Sequence, residues 1–150
     1  MIPAISGFLS RALRALAFSA LAFSALPAAA NSLSANDQEQ IIAVVQDQLS
    51  ALAMDDAATA FSYAAPNIQQ MLGTAENFLR MVRTQFAVVH RPSSKTFLNP
   101  VGLNNTAMLQ VQLTDDDGDA WLAVYTLQKQ VNNTWRITGC RLQLGVGTMV

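Results

Sequence analysis

The spacing of apolar positions changes once along this chain, from helical before His90 to strict alternation after Thr96. In IIAVVQDQLSALAM, Ile41, Val45, Leu49 and Leu52 fall on one helical face, and Gln46, Asp47 and Ser50 on the other. Asn36 followed three residues later by Glu39 resembles a capping box, which predicts a first helix from about Asp37 to Ala53. Asp55 or Asp56 then stands where AATAFSYA needs an N-cap, since a carboxylate there accepts from unpaired backbone N–H groups at the positive end of the helix dipole. Adjacent helical residues point about 100° apart, so a catalytic carboxylate pair is the weaker interpretation of the two aspartates. Pro66 suits the first turn of a short third helix, PNIQQML, ended by Gly73. Thr74 caps a fourth, in which Phe78, Val82 and Phe86 line one face with Leu79 beside them, and Glu76 and Arg80 form an i,i+4 pair. The pattern leaves open whether Ala87 to Val89 continues that helix or begins an extended segment.

Four alternating runs follow: TFLNPVGL, TAMLQVQLT, DAWLAVYTLQKQ and TWRITGCRLQL. Asn104-Asn105, Asp117-Gly118 and Asn132-Asn133 separate them and tolerate the positive φ of tight hairpins, which predicts a four-stranded antiparallel meander. Pro100 places the first strand at an edge or a bulge. In the last run Trp135 and Ile137 share one parity, whereas Cys140, Leu142 and Leu144 share the other. A β-bulge at about Thr138 to Gly139 would return both sets to the core side.

The first thirty residues fit neither pattern. Arg11 and Arg14 precede an apolar run that Pro27 ends, and Ala28 and Ala30 supply an A-x-A site, which predicts a signal peptide over 1–30, cleaved after Ala30. The apolar run is short for a membrane span. Cleavage removes two of the nine Lys and Arg residues and none of the ten acidic ones, leaving a 120-residue chain of net charge −3. That length suits one α+β domain, 31–144, with a short tail, 145–150, and the expected location is the periplasm or the medium. The single cysteine, Cys140, excludes an internal disulfide and is expected to lie against the core.

Charge and motif content narrow the chemistry. A mildly acidic chain without a long basic run offers no nucleic-acid footprint. In DDDGD, counting back from Gly118 as the sixth position of a calcium loop puts Leu113 first and Val124 twelfth, where carboxylates are required, so a hairpin turn is expected. One histidine and one cysteine are too few for a zinc site, and no phosphate- or dinucleotide-binding motif occurs, so neither metal nor cofactor is expected. Every carboxylate lies in a helix, at a helix start or in the DDDGD turn, so the strands offer a cavity no carboxylate or histidine and only Lys129, Arg136 and Arg141 as charged groups. Arg80, Arg83, His90, Arg91 and Lys95 gather within sixteen residues, as an anion-binding cluster or as a solvated face.

Taken in order, DDAATAFSYAAPNIQ, FLRMV followed by VVHRP, WLAVYTLQ and TWRITGCRL are similar to domain-of-unknown-function family 4864. Helices followed by a curved meander resemble the nuclear transport factor 2-like fold, a cone whose helices close over a sheet. That resemblance implies isomerases, dehydratases, association domains and ligand carriers alike, so fold alone selects no function. The leading expectation is a non-catalytic module that binds a small amphipathic ligand or a periplasmic protein. A homodimer and a cofactor-independent enzyme of the isomerase or dehydratase type, using Tyr63, His90 or Tyr125, remain as alternatives. The pocket is expected among Phe61, Tyr63, Phe86, Trp121 and Tyr125, with Arg83 or His90 at its mouth.

Overall fold

The computed structural model describes residues 33–145, so the expected signal peptide, its cleavage point and the tail beyond Gly145 lie outside the described residues. Among the described residues five helices precede the sheet: α1 (Ala35–Ala53), α2 (Ala57–Ser62), α3 (Pro66–Leu72), α4 (Ala75–Gln85) and α5 (Ala87–His90). Helix α1 starts earlier than the Asn36 box predicts. Ser34 is the cap: its Oγ accepts from the Asp37 N–H at 3.0 Å and donates to the Asp37 carboxylate at 2.9 Å, so Asp37 takes the place expected of Glu39. Asp56, not Asp55, caps α2 by accepting from the Thr59 N–H, and Thr74 caps α4 through the Asn77 N–H. Pro66 opens α3, and Gly73 ends it with φ of 80°. Ala87 to His90 form a separate helical turn, which settles the segment left open above. Arg80 donates to Asn77 at 3.0 Å instead of pairing with Glu76.

Among the described residues the sheet contains five strands, not four, because TFLNPVGL is broken at Asn99-Pro100 into β1 (Ser94–Phe97) and β2 (Val101–Leu103). Proline has no N–H to give to a ladder. Both pieces pair with the same edge of β3 (Thr106–Thr114), which pairs with β4 (Ala120–Lys129) and then β5 (Trp135–Leu144), all antiparallel. Asn104, Asn133 and Gly118 take φ of 56°, 64° and 86° in the three hairpins, as their residue types allow. Gly102 is required by close approach, since a Cβ there would lie 2.5 Å from the Thr106 carbonyl oxygen.

In β5 the register shifts between Thr126 and Leu127: Gly139 pairs with Thr126 and Ile137 with Leu127, leaving Thr138 as the extra residue. This is the bulge that side-chain parity predicts. Trp135 and Ile137 are buried on the helix side, and Cys140 and Leu142 pack against the same core, while Leu144 runs out into solvent. The other flank of β5 meets the α2–α3 linker, where the Ile137 N–H donates to Tyr63 O and the Ala65 N–H to Ile137 O.

The core lies between the helices and one face of the sheet. Ile41, Val45, Leu49 and Leu52 of α1 are fully buried and pack with Leu109, Val111, Leu113 and Leu127. Each such side chain contributes about 1.5–3 kcal/mol of transfer free energy. Asp37 fastens the start of α1 to the sheet: one oxygen accepts from Lys129 Nζ at 2.8 Å and from Trp135 Nε1 at 2.9 Å. Those two bonds hold its carboxyl below the usual range. Helix α4 contacts chiefly α2, α3 and α5, so its inner face stands off the sheet.

Candidate functional site

Beneath α4 lies a cavity of about 270 Å³. Its walls are Leu72 of α3, Phe78 and Met81 of α4, Phe86 and Val89 at the α4–α5 junction, and Ile137 beside the bulge. The same helical spacing that makes α4 amphipathic aims Phe78 and Met81 inward, and the backbone of Gly139 in β5 is part of the wall across from them. Tyr125 and Cys140, directly paired across β4 and β5, form the sheet side.

Four polar groups interrupt this apolar lining. Gln48, almost fully buried on α1, donates its amide to the Ala60 carbonyl at 3.1 Å, and Gln85 lies on the α4 side. Tyr125 is 1% exposed and its hydroxyl has no hydrogen-bond partner among the described residues. Burial first, and the Cys140 thiol second, push the Tyr125 phenol well above its ordinary value, although the thiol contact falls outside hydrogen-bond geometry. Burial likewise pushes the Cys140 thiol up to about 12, with Tyr125 opposing the shift. Both groups are therefore neutral at physiological pH. No charged side chain lines the cavity among the described residues.

The basic side chains converge elsewhere. Asp55, whose φ of 57° turns the α1–α2 corner, receives Arg83 Nη2 at 2.7 Å and His90 Nε2 at 2.7 Å on one oxygen, and Arg91 Nη2 at 2.8 Å on the other. Arg91 Nε also donates to Ala53 O. The His90 and Arg83 hydrogen bonds hold the Asp55 carboxyl at about 2, so it is an anion throughout the physiological range. This node ties the α1–α2 corner to the far end of α4, and with it the wall of the cavity.

Of the residues expected at the pocket, Phe86 and Tyr125 line it. Phe61 stacks on Phe78 at 5.5 Å between ring centres and so backs the wall. Tyr63 lies on another surface, in a groove with Trp135 and Arg136, its hydroxyl 3.5 Å from Asp47. Trp121 donates Nε1 to Asp115 at 2.8 Å and borders a shallow groove with Arg91. Arg83 and His90 belong to the Asp55 node. Asp115 organises the DDDGD turn by accepting the Asp117 and Asp119 N–H groups, which accounts for that acidic run as hairpin structure. Sequence reasoning missed Gln48 and Cys140 as lining residues. A glutamine on the buried stripe side of α1 was the available signal for the first, and the bulge parity for the second.

A larger and shallower groove, about 660 Å³, runs along β2 and β3 past the exposed side chains of Val101, Leu103 and Met108. It has no buried polar group comparable to the Tyr125 hydroxyl. No curated protein matches the chain. A family model described as a domain of unknown function (DUF4864) matches residues 34–147, from the cap of α1 past the end of β5, and the chain belongs to that family.

Proposed function

We propose that this protein is an exported, non-catalytic binding module whose cavity beneath α4 takes a small amphipathic ligand. The observation that carries the proposal is the hydroxyl of Tyr125, a residue of the apolar cavity wall, buried without a partner among the described residues. A buried polar group is ordinarily satisfied, and one left unsatisfied beside a cavity is an anchor for a ligand's complementary atom. Binding is favoured over catalysis because the two ionisable groups at the wall, Tyr125 and Cys140, are both held protonated, which suits neither a general base nor a thiolate nucleophile. Tyr63 and His90, the other candidates for acid–base work, do not line this cavity: Tyr63 borders the groove with Trp135 and Arg136, and His90 belongs to the Asp55 node.

The helices on one face of a sheet bent at Thr138 support a nuclear transport factor 2-like cone as the architecture that leaves such a space. Export rests on the Arg11–Ala30 pattern. Intact mass of periplasmic material should correspond to a chain beginning at Asn31, and full-length protein retained in the membrane would overturn export. Thermal-shift screening of small amphipathic molecules tests binding. A ligand at 100 times its Kd adds about 2.7 kcal/mol of apparent stability, and a panel without any shift would overturn the binding module.

A further inference from the structure

We infer that the cavity selects an uncharged ligand: an apolar body of about ten non-hydrogen atoms carrying one hydrogen-bond-accepting group, such as a ketone or ester carbonyl, and that it rejects the corresponding carboxylate. The inference rests on the binding function proposed above and specifies its ligand class.

Three observations carry it. Size comes first: about 270 Å³ is the space of roughly nine waters at about 30 Å³ each, which sets the ligand near ten heavy atoms. Second, the polar groups at the wall are a phenol, a thiol and two carboxamides, none of them charged. An anion placed at the Tyr125 end, the buried side of the space, would be stripped of water without gaining a counter-ion, the costliest form of burial. Third, the basic side chains that sequence proximity offers to the site are turned elsewhere. Arg83, His90 and Arg91 all point at Asp55, and Arg80 donates to Asn77 on the exposed side of α4. The Tyr125 O–H is a donor without an acceptor, so a carbonyl oxygen completes it.

Isothermal titration with 2-nonanone and with octanoate, each of ten non-hydrogen atoms, tests the inference on the folded chain at pH 7.5. The ketone should bind, and octanoate should bind at least about 100-fold more weakly, recovering affinity as acidification protonates it. Tyr125→Phe should weaken the ketone about 5- to 10-fold with an unchanged far-UV spectrum, as expected for the loss of one neutral hydrogen bond. Octanoate binding as tightly as the ketone would overturn charge exclusion while leaving the binding module standing. Tyr125→Phe binding at wild-type strength would overturn the anchoring role of the hydroxyl. Absence of binding by either probe would overturn the inference together with the function it rests on.

Discussion

Replacing Tyr125 by phenylalanine should stabilise this protein, the reverse of what truncating a buried polar group usually does. The hydroxyl is taken out of water, since the residue is 1% exposed, and finds no partner. Leaving a buried group unsatisfied costs about 1–3 kcal/mol, which the substitution returns. Against this stand a lost contact with the Cys140 thiol, worth a few tenths of a kcal/mol for so weak a donor, and the packing of one oxygen atom. The ring itself stays, and removing one oxygen atom introduces no clash, so no new strain arises. The net expectation is about 1 kcal/mol of added stability, or a rise in Tm of about 3–6 °C for a domain of this size. Urea unfolding at equal m value measures it. A loss of 1 kcal/mol or more would mean that the hydroxyl is satisfied in solution, and both the anchor and the ligand class built on it would fall.

Asp37→Ala should destabilise by about 1.5–3 kcal/mol in the same assay, because Lys129 and Trp135 each lose a charge-assisted hydrogen bond; a change under 0.5 kcal/mol would count against the α1–sheet fastening. Cys140, with a thiol near 12 when folded and an ordinary one when unfolded, should make stability fall with rising pH from about 9, by on the order of 2 kcal/mol at pH 10.5; Cys140→Ala should lose that part of the slope and keep the smaller part that the raised Tyr125 and Tyr63 phenols add above about pH 10. The same thiol should alkylate about a thousandfold more slowly in the native protein than in denaturant at pH 8, and comparable rates would refute its protection. Asp55, lowered to about 2 on folding, contributes stability that is complete above its unfolded value of 3.8 and fades as pH falls towards 2. Asp55→Asn keeps a residue tolerant of the positive φ, so it should be the less stable protein at pH 6 and approach wild type near pH 2; equal denaturation midpoints at pH 6 would sink the node.

What the sequence disclosed was local. The Asp56 and Thr74 caps, Pro66 opening α3 and the asparagine and glycine turns each depend on a few neighbouring backbone groups, so residue type at one position decides them. Even the Thr138 bulge was legible, because two parities in one strand cannot both face a core. The Asp55 node was not, since it joins residues 28 to 36 positions apart, and nothing in DDAA distinguishes the aspartate that caps from the one that gathers cations. Tyr63 was misjudged for a related reason. Helical spacing cannot anticipate that the chain after Ser62 turns to pair with Ile137, which sends the ring to the Asp47 side. Of the site, Phe86 and Tyr125 followed from element faces, whereas the standing-off of α4 that opens the space depends on tertiary packing alone.

The broken first strand has a bearing on how this protein behaves at high concentration. A sheet with an uninterrupted outer strand invites a second copy to add on through its backbone. Here one margin consists of two pieces of four and three residues, Ser94–Phe97 with Lys95 in it and Val101–Leu103, set apart by Pro100. The opposite margin is occupied at Ile137 by the α2–α3 linker and kinked at Thr138, leaving only the short stretch from Cys140 to Leu144, with Arg141 within it, to accept a newcomer. Neither side presents a straight template as long as the nine residues of β3, and a proline that looks like a flaw in the sheet guards it against growing into a fibre.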